Sequence, residues 1–447
     1  MLAYVPVPSL SSHQLLLFLL QVSLLLLMAR ALGWLANRVG MPAVAGELLV
    51  GVVLGPSLLG NVGPALQEWL FPPTPSQAHL LDALCQFAVI LLVGVTGAHI
   101  DVKAVRTRMG TVVRVGLGAL LVPLAAGIGV GFAFAPTLAP GGAERPLFAL
   151  FLGVALCVSA IPVIAKTLSD MGLLHRDVGQ LTLAAGMFDD AAGWLLLTVV
   201  SATATTTAGG SLALRMAGLA GFLLLVRLVG LRVVRAVLRR SAASAEQGPV
   251  LASAVVVVLL GAAATQALGL EAVFGAFVAG VCVGTAGPEV RAGLAPLRAV
   301  VLSVLAPVFL AAAGLRIDLT ALADPPVLLS AFVVLVVAVA GKFLGAYLGA
   351  YTSRLPHWEG IALGAGLNAR GVVEIVVATV GLQIDILNTT SYTVVVLVAV
   401  STSLMAPPVL RLAMRRVEQS AEEGLRAREY AQDWSTDSAS PAPSTES

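Results

Sequence analysis

Residues 178–203 read VGQLTLAAGMFDDAAGWLLLTVVSAT, a run whose charged residues are two adjacent aspartates, Asp189 and Asp190. A helix needs about 20 predominantly apolar residues to cross a bilayer, and this run is long enough. An ionisable side chain at membrane depth costs roughly 2.5–3.5 kcal/mol on insertion scales, so such a residue is kept for a function more often than by accident. The segment therefore predicts a membrane-spanning helix whose polar centre holds a site.

The rest of the chain agrees. Of its 447 residues 58% are hydrophobic and 11% charged, with a mean hydropathy of +0.96, so lipid is its expected solvent. A net charge of +2 is too small for a nucleic-acid partner. Cys85, Cys157 and Cys282 lie in apolar runs without metal-ligand spacing and read as packing residues. The apolar run Leu15–Met28 has no cationic residue before it and no small-residue cleavage site after it, which predicts a retained first helix.

Apolar runs predict spans near 14–35, 42–59, 79–98, 110–134, 147–168, 178–203, 212–231, 249–268, 272–287, 295–315, 327–350, 358–382 and 392–413. Cationic side chains stay cytoplasmic during insertion. Alternate connections hold Arg38; Lys103, Arg106 and Arg108; Arg176; Arg232, Arg235, Arg239 and Arg240; Arg291; Arg354; and Arg411, Arg415 and Arg416, while the intervening ones hold Arg145, Arg215 and Arg316. The expectation is an all-α polytopic protein of about 13 transmembrane helices over residues 1–416, N-terminus outside and C-terminus cytoplasmic. Residues 417–447, with Glu418, Glu422, Glu423 and a Ser/Thr/Pro-rich end, are expected to be a polar, disordered cytoplasmic tail. No soluble nucleotide-binding domain is expected in cis. Gly127, Gly129 and Gly131 lie within a span and read as helix-packing glycines rather than a phosphate loop.

Neighbouring carboxylates repel when both are ionised, and burial disfavours the charged form further, so at least one of Asp189 and Asp190 is expected to exchange a proton readily. A carboxylate can hold a proton or help coordinate a hard cation, but a shared site tends to expel one when it takes the other. The alternative is a pair locked in structural salt bridges. Lys342 lies in the span 327–350, too deep to snorkel, and Asp189 is its natural partner, either as a proton carrier or as a static pair for assembly. Gly341, Gly345 and Gly349 form a small-residue stripe suited to close packing. Arg370 and Glu374 stand at i,i+4, which predicts one helical face and a structural ion pair, with control of the ion path as the alternative. Glu47 is also read as structural, at a domain interface.

Pro162, in Ser159-Ala160-Ile161-Pro162-Val163, is expected to break the fifth span and free carbonyls for a cation. Asn368, within Gly364–Gly371, marks a second weak point in the twelfth span. Spans four to six and eleven to thirteen would then be related with opposite orientation, an inverted repeat whose half-helix ends meet near the midplane. Simple kinks are the alternative.

These residues resemble a known family. Gly46-Glu47-Leu48 through Gly55-Pro56, Ser159–Val163, Asp189–Trp194, Gly275–Gly280, Gly341-Lys342-Phe343 and Asn368–Glu374 occur in that order. Over roughly residues 15–415 the chain resembles the monovalent cation:proton antiporter 2 family, especially the transmembrane domain of its plant cation/proton exchanger branch. The resemblance implies a sodium/proton antiporter-like fold with two broken crossover helices, a scaffold and a core moving elevator-like, and a homodimer. It also implies that Asp190 is the principal ion- and proton-binding carboxylate. In the family an Asp-Asp pair goes with electrogenic exchange; Asp189 stands where the plant branch typically has Asn, which leaves Na⁺ and K⁺ both open.

The functional expectation is a secondary antiporter, not an enzyme, exchanging Na⁺ or K⁺ for protons without a cofactor, in a bacterial-type plasma membrane. The metal site is Asp190 with Asp189, and Lys342 shares the protons; Ser159, Thr182 and backbone carbonyls near Ile161 are candidate minor ligands. A sodium-coupled organic-solute carrier on a similar fold and a passive cation channel or sensor are the rivals. Anionic cargo would prefer Arg or helix N-termini to a deep acidic pair.

Overall fold

The computed structural model describes residues 11–419, apart from 40, 42, 73, 99–108, 142–143, 174–175, 206–211 and 243–247, together with Glu423. The first helix, α1 (Ser12–Arg38), opens with a capping box: Ser11 accepts from the Gln14 amide, and the Gln14 side chain accepts from the Ser11 amide, so the orphan donors of its first turn are satisfied before the apolar run begins. It is followed by α2 (Ala43–Leu54), α3 (Pro75–Ala98) and α4 (Met109–Leu138), then by α5 (Arg145–Cys157) and α6 (Ile161–Asp170), and by α7 (Asp177–Thr205). Next come α8 (Leu212–Leu225) and α9 (Leu231–Ala242), joined by a π-helical turn, then α10 (Gly248–Ala267) and α11 (Ala272–Gly284). A second π-helical turn joins α12 (Ala295–Val300) to α13 (Ala306–Gly314); α14 (Pro325–Thr352), α15 (His357–Leu367), α16 (Val372–Gln383) and α17 (Thr389–Met414) complete the order.

Each expected span coincides with one of these helices or with a joined or interrupted pair. Among the described residues ten helices are long and apolar enough to cross a membrane. The three remaining runs are served by the interrupted pairs α5–α6 and α15–α16 and by α11. With 13 residues, α11 rises only about 20 Å, short of the ~30 Å hydrocarbon core.

The helices form two groups. One contains α4, α5, α6, α7, α14, α15, α16 and α17, with α14 packed on both α4 and α15; the other contains α1, α2, α3, α10, α11 and α13. The groups meet where α7 touches α11 and where α13 touches α16. Within the first, α4–α5–α6–α7 and α14–α15–α16–α17 repeat one arrangement: a long helix, an interrupted pair, and a second long helix. Small residues permit the closest approaches, because helices do not gain from hiding apolar surface in lipid and rely on contact instead. A Cβ on Gly345 would sit 2.7 Å from the Gly118 carbonyl carbon, and one on Gly341 3.0 Å from Pro123 Cα, so the expected stripe is the α4–α14 seam. Gly127 and Gly131 meet Gly153 and Ala149 of α5, while Gly129 faces open space.

Several cations at helix ends reach across to other elements. Arg176, at the start of α7, donates to the carbonyls of Val417 and Glu418 beyond α17; Arg416 lies over Trp358 at the start of α15; and Arg239 of α9 donates to Ala286 O beyond α11. In each case two ends expected on the cytoplasmic face are neighbours. Arg316, beyond α13, pairs with Asp82 of α3 at 2.6 Å. Lys103, Arg106 and Arg108 lie outside the described residues. So does most of the tail, but Glu423 is described: it is 3% exposed and pairs with Arg176 at 3.1 Å. Its other carboxylate oxygen accepts from the Asp177 amide at 2.6 Å, satisfying a donor in the first turn of α7.

Candidate functional site: two crossing breaks and an aspartate pair

The fifth expected span is broken over Val158, Ser159 and Ala160, and the twelfth from Asn368 to Gly371. The two links are bonded to each other: the Ala160 amide donates to Ala369 O at 3.2 Å, and Ser159 Oγ lies 2.7 Å from Leu367 O. A Cβ on Gly371 would stand 2.7 Å from Val163 Cγ2, so glycine is what lets the second link pass the start of α6. Pro162 is not the break itself. It is the second residue of α6, where a missing N–H costs nothing because first-turn donors have no intrahelical partner.

Asp189 and Asp190 lie in α7 with no solvent exposure. Asp189 Oδ2 is 2.5 Å from both Ser159 Oγ and Lys342 Nζ. Lys342, also fully buried, donates in addition to Ala119 O of α4 at 3.1 Å and to Cys157 O at the end of α5. One ammonium therefore ties α14 to α4, α5 and α7, and the pairing with Asp189 expected from the sequence is present. Both Asp190 oxygens are buried without a hydrogen-bond partner in the protein. The amide of Ile161, first residue of α6, is turned toward this carboxylate without completing a bond.

Arg370 and Glu374 pair at 3.0 Å, both buried, but not along one helical face. Arg370 stands in the extended link and Glu374 in the first turn of α16, so the pair closes across the break. The Arg370 guanidinium also donates to Leu156 O at 2.6 Å and to Ala338 O at 3.2 Å, and its own carbonyl accepts from Ser403 Oγ of α17. Two carbonyls at the end of α5 are held by these cations, Leu156 O by Arg370 and Cys157 O by Lys342. A helix C-terminus carries about −0.5 of a charge, and two cations neutralise this one. The opposite pole, the N-terminus of α16, has Glu374 on it.

Other expected residues fall elsewhere. Thr182 is buried, but its hydroxyl donates to Val178 O at 2.7 Å in its own helix and its methyl packs on Gly366; it is not brought to the pair. Glu47 lies on α2 against Gly33 of α1, inside the second helix group rather than between the groups. Sequence reasoning missed Ser403 and the Arg176–Glu423 contact. A hydroxyl in an apolar span and an acidic residue in a polar tail are both too common to single out. It also missed a cavity of about 230 Å³ between the groups, lined by Gln21, Asp82, Arg316, Thr379 and Gln383 among others. This cavity follows α16 from Val376 to the helix end and does not reach Asp190.

Comparison with known proteins then fits this architecture. A family profile described as "Sodium/hydrogen exchanger, transmembrane" matches residues 23–416. Cation/H(+) antiporter 18 of Arabidopsis thaliana is 29% identical over 412 residues, covering 91% of this chain and 50% of that protein; the chain thus spans about half the length of the plant relatives it matches. Na(+)/H(+) antiporter NhaS4 of Synechocystis is 28% identical over 404 residues, 89% of this chain and 97% of that one. The sodium proton antiporter MjNhaP1 of Methanocaldococcus jannaschii superposes with a TM-score of 0.66 at 17% identity, over 93% of this chain and 99% of the other; that likeness establishes the fold. With the profile running over nearly the whole set of membrane helices, the chain belongs to the sodium/hydrogen exchanger family through its transmembrane region.

Proposed function

We propose that the protein is a secondary active antiporter exchanging a monovalent cation, Na⁺ or K⁺, for protons by alternating access, with Asp190 as the carboxylate that holds either. The observation that carries this reading is the charge count at the crossing. Three buried carboxylates, Asp189, Asp190 and Glu374, accompany two buried cations, Lys342 and Arg370. Lys342 takes Asp189 and Arg370 takes Glu374, which leaves Asp190 as the unpaired carboxylate among them. An isolated ion at this depth is unfavourable. A proton on Asp190 or a cation beside it restores neutrality, and both together overshoot it. Competition between the two at one carboxylate is what couples opposed fluxes.

The two interrupted helices give such a site oriented half-helix ends to work with, and the few contacts between the helix groups suit a core that moves against a scaffold as in an elevator. The cavity beside α16 serves as an approach from the outer face. Relatives named as Na⁺/H⁺, cation/H⁺ and K⁺/H⁺ antiporters support Na⁺ or K⁺ as cargo. Electrogenic exchange follows if the Asp189–Lys342 pair releases a second proton when the cation enters. A homodimer belongs to the same proposal, as does a bacterial-type plasma membrane, since the relatives from Synechocystis and Bacillus cereus match this chain over almost their whole length.

The test is purified protein in vesicles containing a pH-sensitive dye, with Li⁺, Na⁺, K⁺ and Rb⁺ added in turn at two clamped membrane potentials. Proton movement driven by Na⁺ or K⁺ at zero potential, with a rate that changes with voltage, is the expected result. A passive channel would respond only when a counter-ion path is supplied. Silence toward every cation would overturn the proposal.

A further inference from the structure

The two half-helix C-termini at the crossing are treated unequally. The α5 end has Lys342 on Cys157 O and Arg370 on Leu156 O. The α15 end has no basic residue in its last turn. Its carbonyls bond to the amides of Asn368 and Ala369 and to the Ser159 hydroxyl. One negative pole is thus neutralised by two cations and the other by none among the described residues, although both carry a similar partial charge.

Asn368 caps that second pole. Its side chain is fully buried, and neither its amide oxygen nor its amide nitrogen has a hydrogen-bond partner in the protein. Burying an amide unsatisfied is unfavourable, and none of its bonds repays that cost. The residue sits between Leu367 and Ala369, whose carbonyls meet Ser159 and Ala160. The same three-residue link contributes Ser159 to Asp189 and turns the Ile161 amide toward Asp190. Asn368 and Asp190 therefore border one short segment of backbone from opposite helices, and both present buried oxygens that the protein leaves unsatisfied.

We infer that Asn368 is a direct ligand of the transported cation: its amide oxygen, at the uncompensated end of α15, completes with Asp190 the shell around Na⁺ or K⁺ and sets the preference between them. Hard cations of this kind take carboxylate and amide oxygens together. The inference rests on the antiporter reading and deepens it, by assigning a ligand to the link that the sequence marks only as a helix break.

Asn368→Leu keeps the branched four-atom outline of the side chain and removes the amide. A residue held for structure would lower thermal stability when replaced, whereas a ligand held at a cost leaves it unchanged or raises it. The expected result is a melting temperature at or above that of the wild type, with apparent KM for Na⁺ and K⁺ raised about tenfold or more. Their ratio should be altered, and the stabilisation of the purified protein by added NaCl or KCl relative to choline chloride should be lost. Asn368→Ala checks the same readouts with a smaller side chain. Unchanged KM, ratio and cation stabilisation in a folded variant overturn the inference; so does failure of both variants to fold, since that makes Asn368 structural. Wild-type exchange that Asp190→Asn abolishes, beside an indifferent Asn368→Leu, removes this inference and keeps the antiporter. Absence of exchange in the wild type removes the antiporter reading itself.

Discussion

Replacing Arg370 by Leu deletes the cation of a pair in which Arg370 is 0% and Glu374 1% exposed. Glu374 Oε2 already lacks a partner, and loss of the guanidinium strips Oε1 as well, leaving a carboxylate buried with nothing on it. Breaking a buried pair from one side costs about 3–5 kcal/mol. Leu156 O and Ala338 O also lose their donor, adding on the order of 1 kcal/mol or more. The position of Glu374 in the first turn of α16 returns about 0.3–1 kcal/mol through the helix dipole, too little to offset the rest. A net loss near 4 kcal/mol lowers the folded-to-unfolded ratio about a thousandfold. Thermal unfolding followed by tryptophan fluorescence in nanodiscs measures it. Arg370→Leu should be the least stable variant. Glu374→Gln should lose less, because Arg370 keeps both carbonyls, and the double variant should recover most of the loss because no carboxylate is stranded. A double variant no more stable than Arg370→Leu would refute the reasoning.

Three further outcomes follow from the same geometry. Gly345→Val drives a branched side chain into the Gly118 backbone and should destabilise by about 1–3 kcal/mol, whereas Gly129→Ala, whose Cβ meets nothing, should melt with the wild type. Glu423→Ala leaves the buried Arg176 without its carboxylate and removes an acceptor from the Asp177 amide; a loss of roughly 1.5–3 kcal/mol and faster proteolysis beyond Val417 are expected, and unchanged cleavage would argue against a role for this contact in holding the chain after α17. Asp82→Ala breaks a pair whose side chains are 30% and 46% exposed, so its effect should stay within about 1 kcal/mol and shrink in high salt.

Much of this was legible in the sequence, because lipid imposes strong rules. Apolar length located the helices, and the cost of charge at depth singled out Asp189, Asp190, Lys342, Arg370 and Glu374, all buried at the crossing. Composition also sufficed to see two weak points, but not their geometry. Proline was read as the break, whereas the chain leaves the helix at Val158 and uses Pro162 to begin the next one, since proline suits a first turn better than an interior. The i,i+4 spacing of Arg370 and Glu374 suggested a shared face for a pair that in fact spans a break. Which carbonyls Lys342 and Arg370 would occupy depends on helices far apart in the chain, and no local pattern carries that. The same holds for Asn368, whose buried amide has no hydrogen-bond partner in the protein.

The central claim is that Asp190 alone among the buried carboxylates holds cargo and proton in turn. Cation-driven proton movement by Asp190→Asn in proteoliposomes tests it most directly, scored beside a Gly129→Ala variant of equal reconstitution, whose added Cβ meets nothing. The account predicts no response to Na⁺ or K⁺ from Asp190→Asn and retained exchange from Gly129→Ala. Exchange surviving in Asp190→Asn would contradict it.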